Sequence, residues 1–184
     1  MTFDECIAAG GVAVFPADTV YGLACDPENA EAVARLYELK GRPPEKPAAV
    51  MFFAGEQALL PELSPRTRGL MARLLPGMVT LLVPSDRYPL AGGAGTLGVR
   101  VPAIEPLAGV PVLQSSANVT GGPDARRLAE VPEPIRRGAD LVIDGGELPG
   151  TPSTVVDLRD YDRGGELRIV RAGAVTAEVI AASA

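Results

Sequence analysis

Residues 12–23 read VAVFPADTVYGL, and this stretch sets how the rest of the chain is interpreted. Val12 to Phe15 form a compact apolar run, which is typical of a buried strand. Polar and small residues follow at once: Thr19 and Tyr21 offer hydroxyl groups, and Gly22 lets a backbone or a ligand come close. An ordinary strand-to-helix loop has the same composition. The stretch therefore predicts a strand followed by a shaped, polar turn, and other segments must decide whether that turn belongs to a site.

Short apolar runs and helical segments alternate along the remaining chain. Strands are predicted at Ala48–Phe53, Val79–Val83, Leu97–Val101, Val112–Gln114, Leu141–Ile143, Thr154–Leu158 and Leu167–Val170. Helices are predicted from the Thr2-x-x-Glu5 capping box to Gly10, from Asp26-Pro27 to Leu39 with Gly41 ending it, at Arg66–Leu75 and at Ala177–Ala181. This order indicates an α/β fold with a twisted, mixed parallel and antiparallel sheet flanked by helices. No repeat or linker divides the chain, so residues 1–184 are expected to form a single domain.

Composition narrows the class of protein. Hydrophobic residues make up 47% and charged residues 22% of the 184, which is enough apolar material for a sizeable core. No apolar run approaches the roughly 20 residues of a membrane span. The N-terminus lacks the basic stretch and apolar core of a signal peptide, and Cys6 and Cys25 fit no metal-binding or disulfide pattern. We therefore expect a cytoplasmic protein with no membrane partner.

The balance of ionisable residues excludes several kinds of chemistry. The chain has no histidine, which excludes Ser-His and Cys-His hydrolysis and zinc sites that depend on imidazole. Its net charge of −6 argues against a large, sequence-independent nucleic-acid footprint, which needs surplus lysine and arginine. The only two lysines, Lys40 and Lys46, bracket Arg42 in one short segment. A local basic pocket is therefore compatible with the negative net charge of the protein.

Residues 40–47 read KGRPPEKP and place three cations within seven residues. Three prolines stiffen the segment, which favours an anion-binding loop, although a solvated basic turn fits equally well. Arg100 lies within an apolar strand, where a guanidinium needs a carboxylate or phosphate partner. An internal carboxylate would satisfy it as well as a ligand would.

Several short polar side chains gather in the second half of the chain. Residues 115–121 read SSANVTG and follow an apolar strand, a composition that also suits a simple turn or helix cap. After Asp144-Gly145-Gly146, residues 151–157 read TPSTVVD, in which the hydroxyls of Ser153 and Thr154 could face a cleft. Arg171 ends the last predicted strand and could approach a ligand there. Each segment also has a plain surface-loop interpretation.

Residues 93–98, GAGTLG, fit the GxGxxG dinucleotide pattern by letter only. A Rossmann site needs a strand before the glycines and a helix after them. Here the glycines lead into Val99-Arg100-Val101-Pro102, which is typical of a strand ended by proline. The chain contains neither a GxxxxGK[ST] phosphate loop nor a Gly-x-Ser-x-Gly elbow, so nucleotide binding would have to use other devices.

Taken together, these segments resemble the YrdC family of L-threonylcarbamoyladenylate synthases from about Gly11 to Gly173. Seven motifs occur in the family's order: PADTVYGL, KGRP, LPGMVT, RVP, SANVTG, PSTVVD and RAG. Four residues depart from the family pattern: Ala17 replaces threonine, Leu75 replaces tryptophan, Met78 replaces proline and Thr120 replaces serine. In addition, Met51 occupies a position at which some relatives have a histidine that contacts threonine.

The resemblance implies a YrdC/RibB-like fold and a specific reaction. ATP, bicarbonate and L-threonine would give L-threonylcarbamoyl-AMP and pyrophosphate, and a separate transferase would use the product to modify adenosine 37 of tRNA. Residues implied for L-threonine are Thr19, Arg100 and Ser153. Residues implied for the nucleotide are Lys40, Arg42, Lys46, Thr96, Ser116, Asn118 and Arg171. Lys46 and Arg42 are expected to stabilise the charge of the phosphates, and no catalytic acid or base is identified. Mg²⁺ is expected to accompany ATP, but no metal site formed by the protein itself is expected.

Two other functions fit parts of this pattern. A related domain in hydrogenase maturation proteins forms a carbamoyl-adenylate, although those chains are much longer. A non-catalytic RNA-binding module is the alternative from another class. The acidic net charge counts against it, so direct tRNA binding is expected to be weak or absent. The length of 184 residues is that expected of the short, single-domain type of the family.

Overall fold

A computed structural model describes residues 1–58, 60–93 and 95–184 of the chain. Its α-helices are α1 Phe3–Ala8, α2 Ala30–Lys40, α3 Pro65–Leu74, α4 Pro89–Gly92, α5 Glu133–Gly138 and α6 Ala177–Ser183. Its strands are β1 Ala13–Pro16, β2 Tyr21–Cys25, β3 Ala49–Met51, β4 Val79–Val83, β5 Leu97–Arg100, β6 Val112–Ser116, β7 Leu141–Val142, β8 Thr154–Asp157 and β9 Arg168–Arg171. Short 3₁₀ turns occupy Gly55–Ala58, Leu128–Glu130 and Tyr161–Arg163.

All of these strands, over the ranges that the structure describes, join one sheet in the order β7-β1-β2-β6-β3-β5-β4-β8-β9. The pairs β1–β7, β3–β5 and β4–β8 are parallel, and the other neighbouring pairs are antiparallel. The predicted α/β fold with a mixed sheet is therefore confirmed. Within the same described ranges, none of the helices combines the length and apolar character that crossing a membrane requires.

The two faces of the sheet differ in what covers them. Helices α2, α3, α5 and α6 pack on the first face, where they bury side chains such as Leu36, Leu70 and Leu81. A smaller cluster on the second face joins α1 to the sheet through residues such as Phe3 and Phe15. Since successive side chains of a strand point to opposite faces, each strand contributes to both.

Beyond that smaller cluster, the second face carries small and polar side chains. In β4, Val79, Leu81 and Val83 belong to the core of the first face, whereas Thr80 and Leu82 line an open cavity on the second. The same alternation separates Val99 of β5, which is in the core, from its neighbours on either side. The functional groups described below lie on this open part of the sheet.

The first two predicted helices are present with shifted bounds. The capping box at the start of α1 is confirmed, because the Thr2 side chain accepts from the Glu5 N–H and the Glu5 side chain accepts from the Thr2 N–H. Helix α2, in contrast, begins at Ala30 instead of following Asp26-Pro27. The Asn29 side chain is its N-cap, while the Asp26 carboxylate accepts only from the N–H of Glu28 in the preceding turn.

The stretch VAVFPADTVYGL forms a hairpin, and the interpretation of its second half as a strand-to-helix loop is wrong. Tyr21–Cys25 form β2, which is buried throughout and lies between β1 and β6. Gly22 pairs with Phe15, and a Cβ on Gly22 would lie 2.8 Å from the Phe15 ring. The absence of a side chain thus lets that ring pack over β2.

Other predicted elements differ mainly at their ends. The strand predicted at Ala48–Phe53 is confined to β3, and the short helices α4 and α5 were not predicted. In the GAGTLG segment, Gly93 and Gly95 have positive φ angles of 74° and 71°, whereas Ala94 lies outside the described residues. The segment leads into β5, as predicted, and the helix that a Rossmann site needs at this point is replaced by a strand.

Candidate active site

A cavity of about 530 Å³ opens on the second face of the sheet. All ten residues that the sequence predicted for the site line it: Thr19, Lys40, Arg42, Lys46, Thr96, Arg100, Ser116, Asn118, Ser153 and Arg171. They come from six separate stretches of the chain, so the fold brings together groups that are distant in sequence. Their presence at one cavity is a finding of the structure; the role of each residue stays a prediction.

The charge of the cavity is opposite to that of the whole protein. Six cationic side chains line it, and Asp124 is the only acidic residue among the described lining residues. The cations are Lys40, Arg42, Lys46, Arg100, Arg159 and Arg171. Arg100 and Arg159 already pair with carboxylates, but the other four have no ion-pair partner among the described residues. Such a site favours an anionic ligand.

Arg100 forms a buried ion pair at one end of the cavity. Its Nη2 donates to the Asp18 carboxylate at 2.5 Å, and both side chains are 4% exposed. Burial lowers the pKa of Arg100, while the Asp18 carboxylate acts in the opposite direction. The internal partner that the sequence left open is therefore Asp18, which the PADTVYGL stretch places beside β5.

Three buried polar atoms have no hydrogen-bond partner among the described residues, and all three belong to residues that line the cavity. They are Thr19 Oγ1, Arg100 Nε and Thr120 Oγ1. A buried polar group without a partner costs about 1–3 kcal/mol. Native structures seldom keep such groups without a reason, so three at one cavity mark it as a candidate binding site.

Ser153, Thr80 and Arg171 form a linked set of polar groups. The Thr80 and Ser153 hydroxyl oxygens lie 2.7 Å apart, and Arg171 Nη2 donates to the Ser153 carbonyl at 2.8 Å and to its hydroxyl at 3.2 Å. Arg171 reaches this point because β9 has a bulge: Val156 pairs with Ile169, but Val155 pairs with Arg171. Bulges commonly re-aim a side chain beside an active site.

Lys40 ends α2 beneath the SSANVTG turn and is only 1% exposed. Its ammonium group donates to the carbonyl of Ser116, to the carbonyl of Asn118 at 2.8 Å and to Asn118 Oδ1 at 3.1 Å. Burial, with the nearby Arg42, lowers the pKa of Lys40 to about 8. All three of its N–H bonds are used inside the protein, so Lys40 holds the turn in place, and a direct phosphate contact would require one of them to be released.

The loop after α2 holds the remaining cations at the mouth of the cavity. Gly41 ends the helix in the left-handed conformation, with a φ of 54°. The Arg42 guanidinium donates to the Lys46 carbonyl at 3.2 Å and to the Pro47 carbonyl, and it lies 5.6 Å from the centre of the Tyr37 ring. The loop thus folds around the Arg42 guanidinium, while the Lys46 side chain is exposed.

Thr154 and Tyr21 direct their hydroxyl groups away from the cavity, which contradicts the sequence expectation for Thr154. Thr154 faces away from the cavity and donates to the Val175 carbonyl at 2.6 Å, because its neighbour Ser153 takes the opposite face. The Tyr21 hydroxyl accepts from the Gly145 N–H at 2.9 Å and donates to Asp144 Oδ1, which fixes the DGG loop. Met51 also differs, since it is fully buried in the smaller cluster and does not line the cavity.

Several lining residues were missed from the sequence, among them Thr80, Gln114, Asp124 and Arg159. Thr80 had a visible signal, because it is a polar residue between Val79 and Leu81 in an apolar strand. Arg159 had none, since it follows β8 in a loop, where its guanidinium donates to the Asp157 carboxylate at 2.9 and 2.7 Å.

The fold and the cavity define a class: an α/β protein with a cavity lined by cationic side chains on the open face of its sheet. Residues 5–173 match the model of the Sua5, YciO and YrdC family, whose description is telomere recombination. The chain therefore belongs to this family, as the motif order predicted.

Relatives of known name support this assignment. A threonylcarbamoyl-AMP synthase of Thiobacillus denitrificans is 38% identical over 165 residues, which cover 81% of this chain and 85% of the relative. One from Pyrococcus abyssi is 35% identical over 167 residues, 84% of this chain and 49% of the relative. The crystal structure of P. abyssi Sua5 complexed with L-threonine superposes with a TM-score of 0.86 at 31% identity, over 97% of this chain and 55% of that one. The chain thus spans about half the length of the P. abyssi protein.

Proposed function

We propose that this chain is a threonylcarbamoyl-AMP synthase, which converts ATP, bicarbonate and L-threonine into L-threonylcarbamoyl-AMP and pyrophosphate. The observation that carries the proposal is the cavity itself, which gathers all ten predicted residues, an excess of cations and three unpartnered buried polar atoms. Family membership and relatives that carry this name support the same conclusion.

The amino-acid half of the proposed site is built around the unpartnered atoms. The Arg100 Nε–H and the Thr19 hydroxyl would donate to the carboxylate of L-threonine. With Arg100 Nη2 already donating to Asp18, the guanidinium is fixed in orientation before the substrate arrives. Ser153, which directly precedes β8, would contact the substrate from the other side of β4. Such preorganisation reduces the loss of side-chain freedom on binding.

The nucleotide half of the proposed site uses the loops at the cavity mouth. Arg42, Lys46 and Arg171 would neutralise the triphosphate, while Thr96, Ser116 and Asn118 would provide hydrogen bonds to the nucleotide. Lys40 would contribute by holding the Ser116–Asn118 turn and through its charge. Magnesium would accompany ATP and help to neutralise the charge of its phosphates. No group of three or more Cys, Asp or Glu side chains within the described residues is arranged to hold a metal ion.

The proposed chemistry suits the groups available. The amino group of L-threonine and bicarbonate would form a carbamate and release water, and a carbamate oxygen would then attack the α-phosphorus while pyrophosphate departs. Attack of one anion on another depends mainly on positioning and charge neutralisation. Arginine, lysine and hydroxyl groups provide both, and a histidine base is not needed. The product would pass to a cytoplasmic transferase that modifies tRNA.

The direct test is pyrophosphate release from ATP by the purified protein with magnesium, with and without L-threonine and bicarbonate. Release that requires both co-substrates, and that is poor with L-serine, is the expected result. A folded protein that releases none would refute the proposal, and carbamoyl phosphate and then RNA would be the next substrates to test. Lys46→Ala serves as a matched variant, because the exposed Lys46 side chain can be removed without disturbing the core.

A further inference from the structure

Thr80 lies inside the amino-acid half of the cavity, and none of the roles described above uses it. It is 7% exposed, lines the cavity and belongs to β4. The β4–β5 register pairs Leu81 with Val99 and Leu82 with Gly98, so the next pair places Thr80 directly opposite Arg100. Side chains of such a pair have Cβ atoms about 4.5–5.5 Å apart on the same face. A carboxylate bound by Arg100 would therefore bring the rest of its amino acid next to Thr80.

The protons of the Thr80–Ser153 pair can be counted. Arg171 is a guanidinium and can only donate, so the Ser153 hydroxyl oxygen accepts from it. The two hydroxyls, 2.7 Å apart, use one of their two protons in the bond between them. The other proton has no acceptor among the described residues, whichever of the two hydroxyls carries it. Since both residues line the cavity, that proton is available to a ligand.

The pair also retains lone pairs that can accept a hydrogen bond, and this decides which ligand group it suits. A carboxylate only accepts, and the unpartnered Arg100 Nε–H already offers it a donor. A hydroxyl both donates and accepts, as the Thr80–Ser153 pair does. We propose that Thr80 is a further substrate-binding residue, which together with Ser153 recognises the side-chain hydroxyl of L-threonine. This inference rests on the proposed function, because it assigns a specificity role within the same site.

The test compares two amino acids that differ only in that hydroxyl, L-threonine and L-2-aminobutyrate. Their dissociation constants are measured by calorimetry with wild-type protein, Thr80→Val and Thr80→Ser. Thr80→Val is expected to weaken L-threonine binding by roughly 3- to 10-fold, as the loss of one neutral hydrogen bond implies. It should leave L-2-aminobutyrate binding within about twofold, so that the preference for L-threonine is lost. Thr80→Ser keeps the hydroxyl and should retain the preference.

Two further measurements separate the possible explanations. Thermal melting and ATP binding establish whether Thr80→Val is folded. If it is not, Ser153→Ala tests the same inference, because removal of either hydroxyl should abolish the preference for L-threonine over L-2-aminobutyrate. A Thr80→Val or Ser153→Ala protein that keeps the wild-type ratio of the two affinities would overturn the inference alone. Wild-type protein that binds neither amino acid would overturn the proposed function and this inference together.

Discussion

Breaking the Arg100–Asp18 pair should reveal how strongly the site depends on its own internal charges. Both side chains are 4% exposed, and they are joined by a 2.5 Å contact. Arg100→Met leaves the Asp18 carboxylate buried without its cation, and Asp18→Asn leaves the guanidinium without its anion. Removing one partner of a buried pair typically costs about 3–5 kcal/mol. With a urea slope of about 2–3 kcal/mol per M, each single change should lower the unfolding midpoint by about 1–2.5 M.

The double variant, Asp18→Asn with Arg100→Met, should be much less destabilised than the sum of the single variants. It buries no unpaired charge, and replacing a whole buried pair is often close to neutral. We expect a coupling of about 2–3 kcal/mol from urea denaturation of the four proteins. Single changes that cost less than about 1 kcal/mol, with no coupling, would show that the pair is solvated and would refute this reasoning.

The same four proteins separate stability from substrate binding. Arg100→Met alone changes both, because it removes the guanidinium proposed to bind the substrate carboxylate and leaves Asp18 unpaired. The double variant restores stability without restoring the guanidinium. It should therefore keep a high KM for L-threonine while melting near the wild-type temperature. A double variant with a normal L-threonine KM would remove Arg100 from its proposed role.

Three further changes test other parts of the site. Lys46→Ala should weaken ATP binding several-fold in calorimetry while leaving the melting temperature unchanged, and normal ATP affinity would contradict its role. The Lys40 pKa of about 8 lies below its unfolded value of 10.5, so between these pH values the unfolded chain binds more protons. The difference in unfolding free energy between wild type and Lys40→Met should thus rise by about 1–2 kcal/mol from pH 7 to pH 9.5. If this difference does not change with pH, Lys40 is not buried as a cation. Gly173→Ala would put a Cβ 2.4 Å from the Pro152 carbonyl oxygen and should therefore displace Ser153. We expect it to lower the free energy of unfolding by about 1–3 kcal/mol and to raise the KM for L-threonine. If both quantities are unchanged, the backbone moves there at little cost.

Much of the site was predictable because its residues stand out locally. Thr19, Ser116 and Ser153 are polar residues next to apolar strands, and Arg100 is a charge inside one. Lys40, Arg42 and Lys46 concentrate positive charge in a short loop of an acidic protein. These are properties of neighbouring residues, so the chain reveals them without its fold.

Other features depend on contacts between distant segments. The Arg100–Asp18 pair joins residues 82 positions apart, and nothing near either residue specifies the other. Thr80 and Thr154 are both hydroxyl residues at the start of apolar strands, yet only Thr80 lines the cavity. Which of them does so depends on strand register, because a shift by one residue exchanges the two faces.

The sequence by itself therefore determined the alternation of strands and helices, the family and ten of the residues that line the cavity. Tertiary structure decided which partners those residues meet: it paired Arg100 with Asp18, turned Lys40 inward to hold the Ser116–Asn118 turn and brought Thr80 beside Ser153. The physical reason is that local patterns fix which groups are polar and where strands run. Only the pairing of strands across the sheet fixes which face each group takes and which partners it meets.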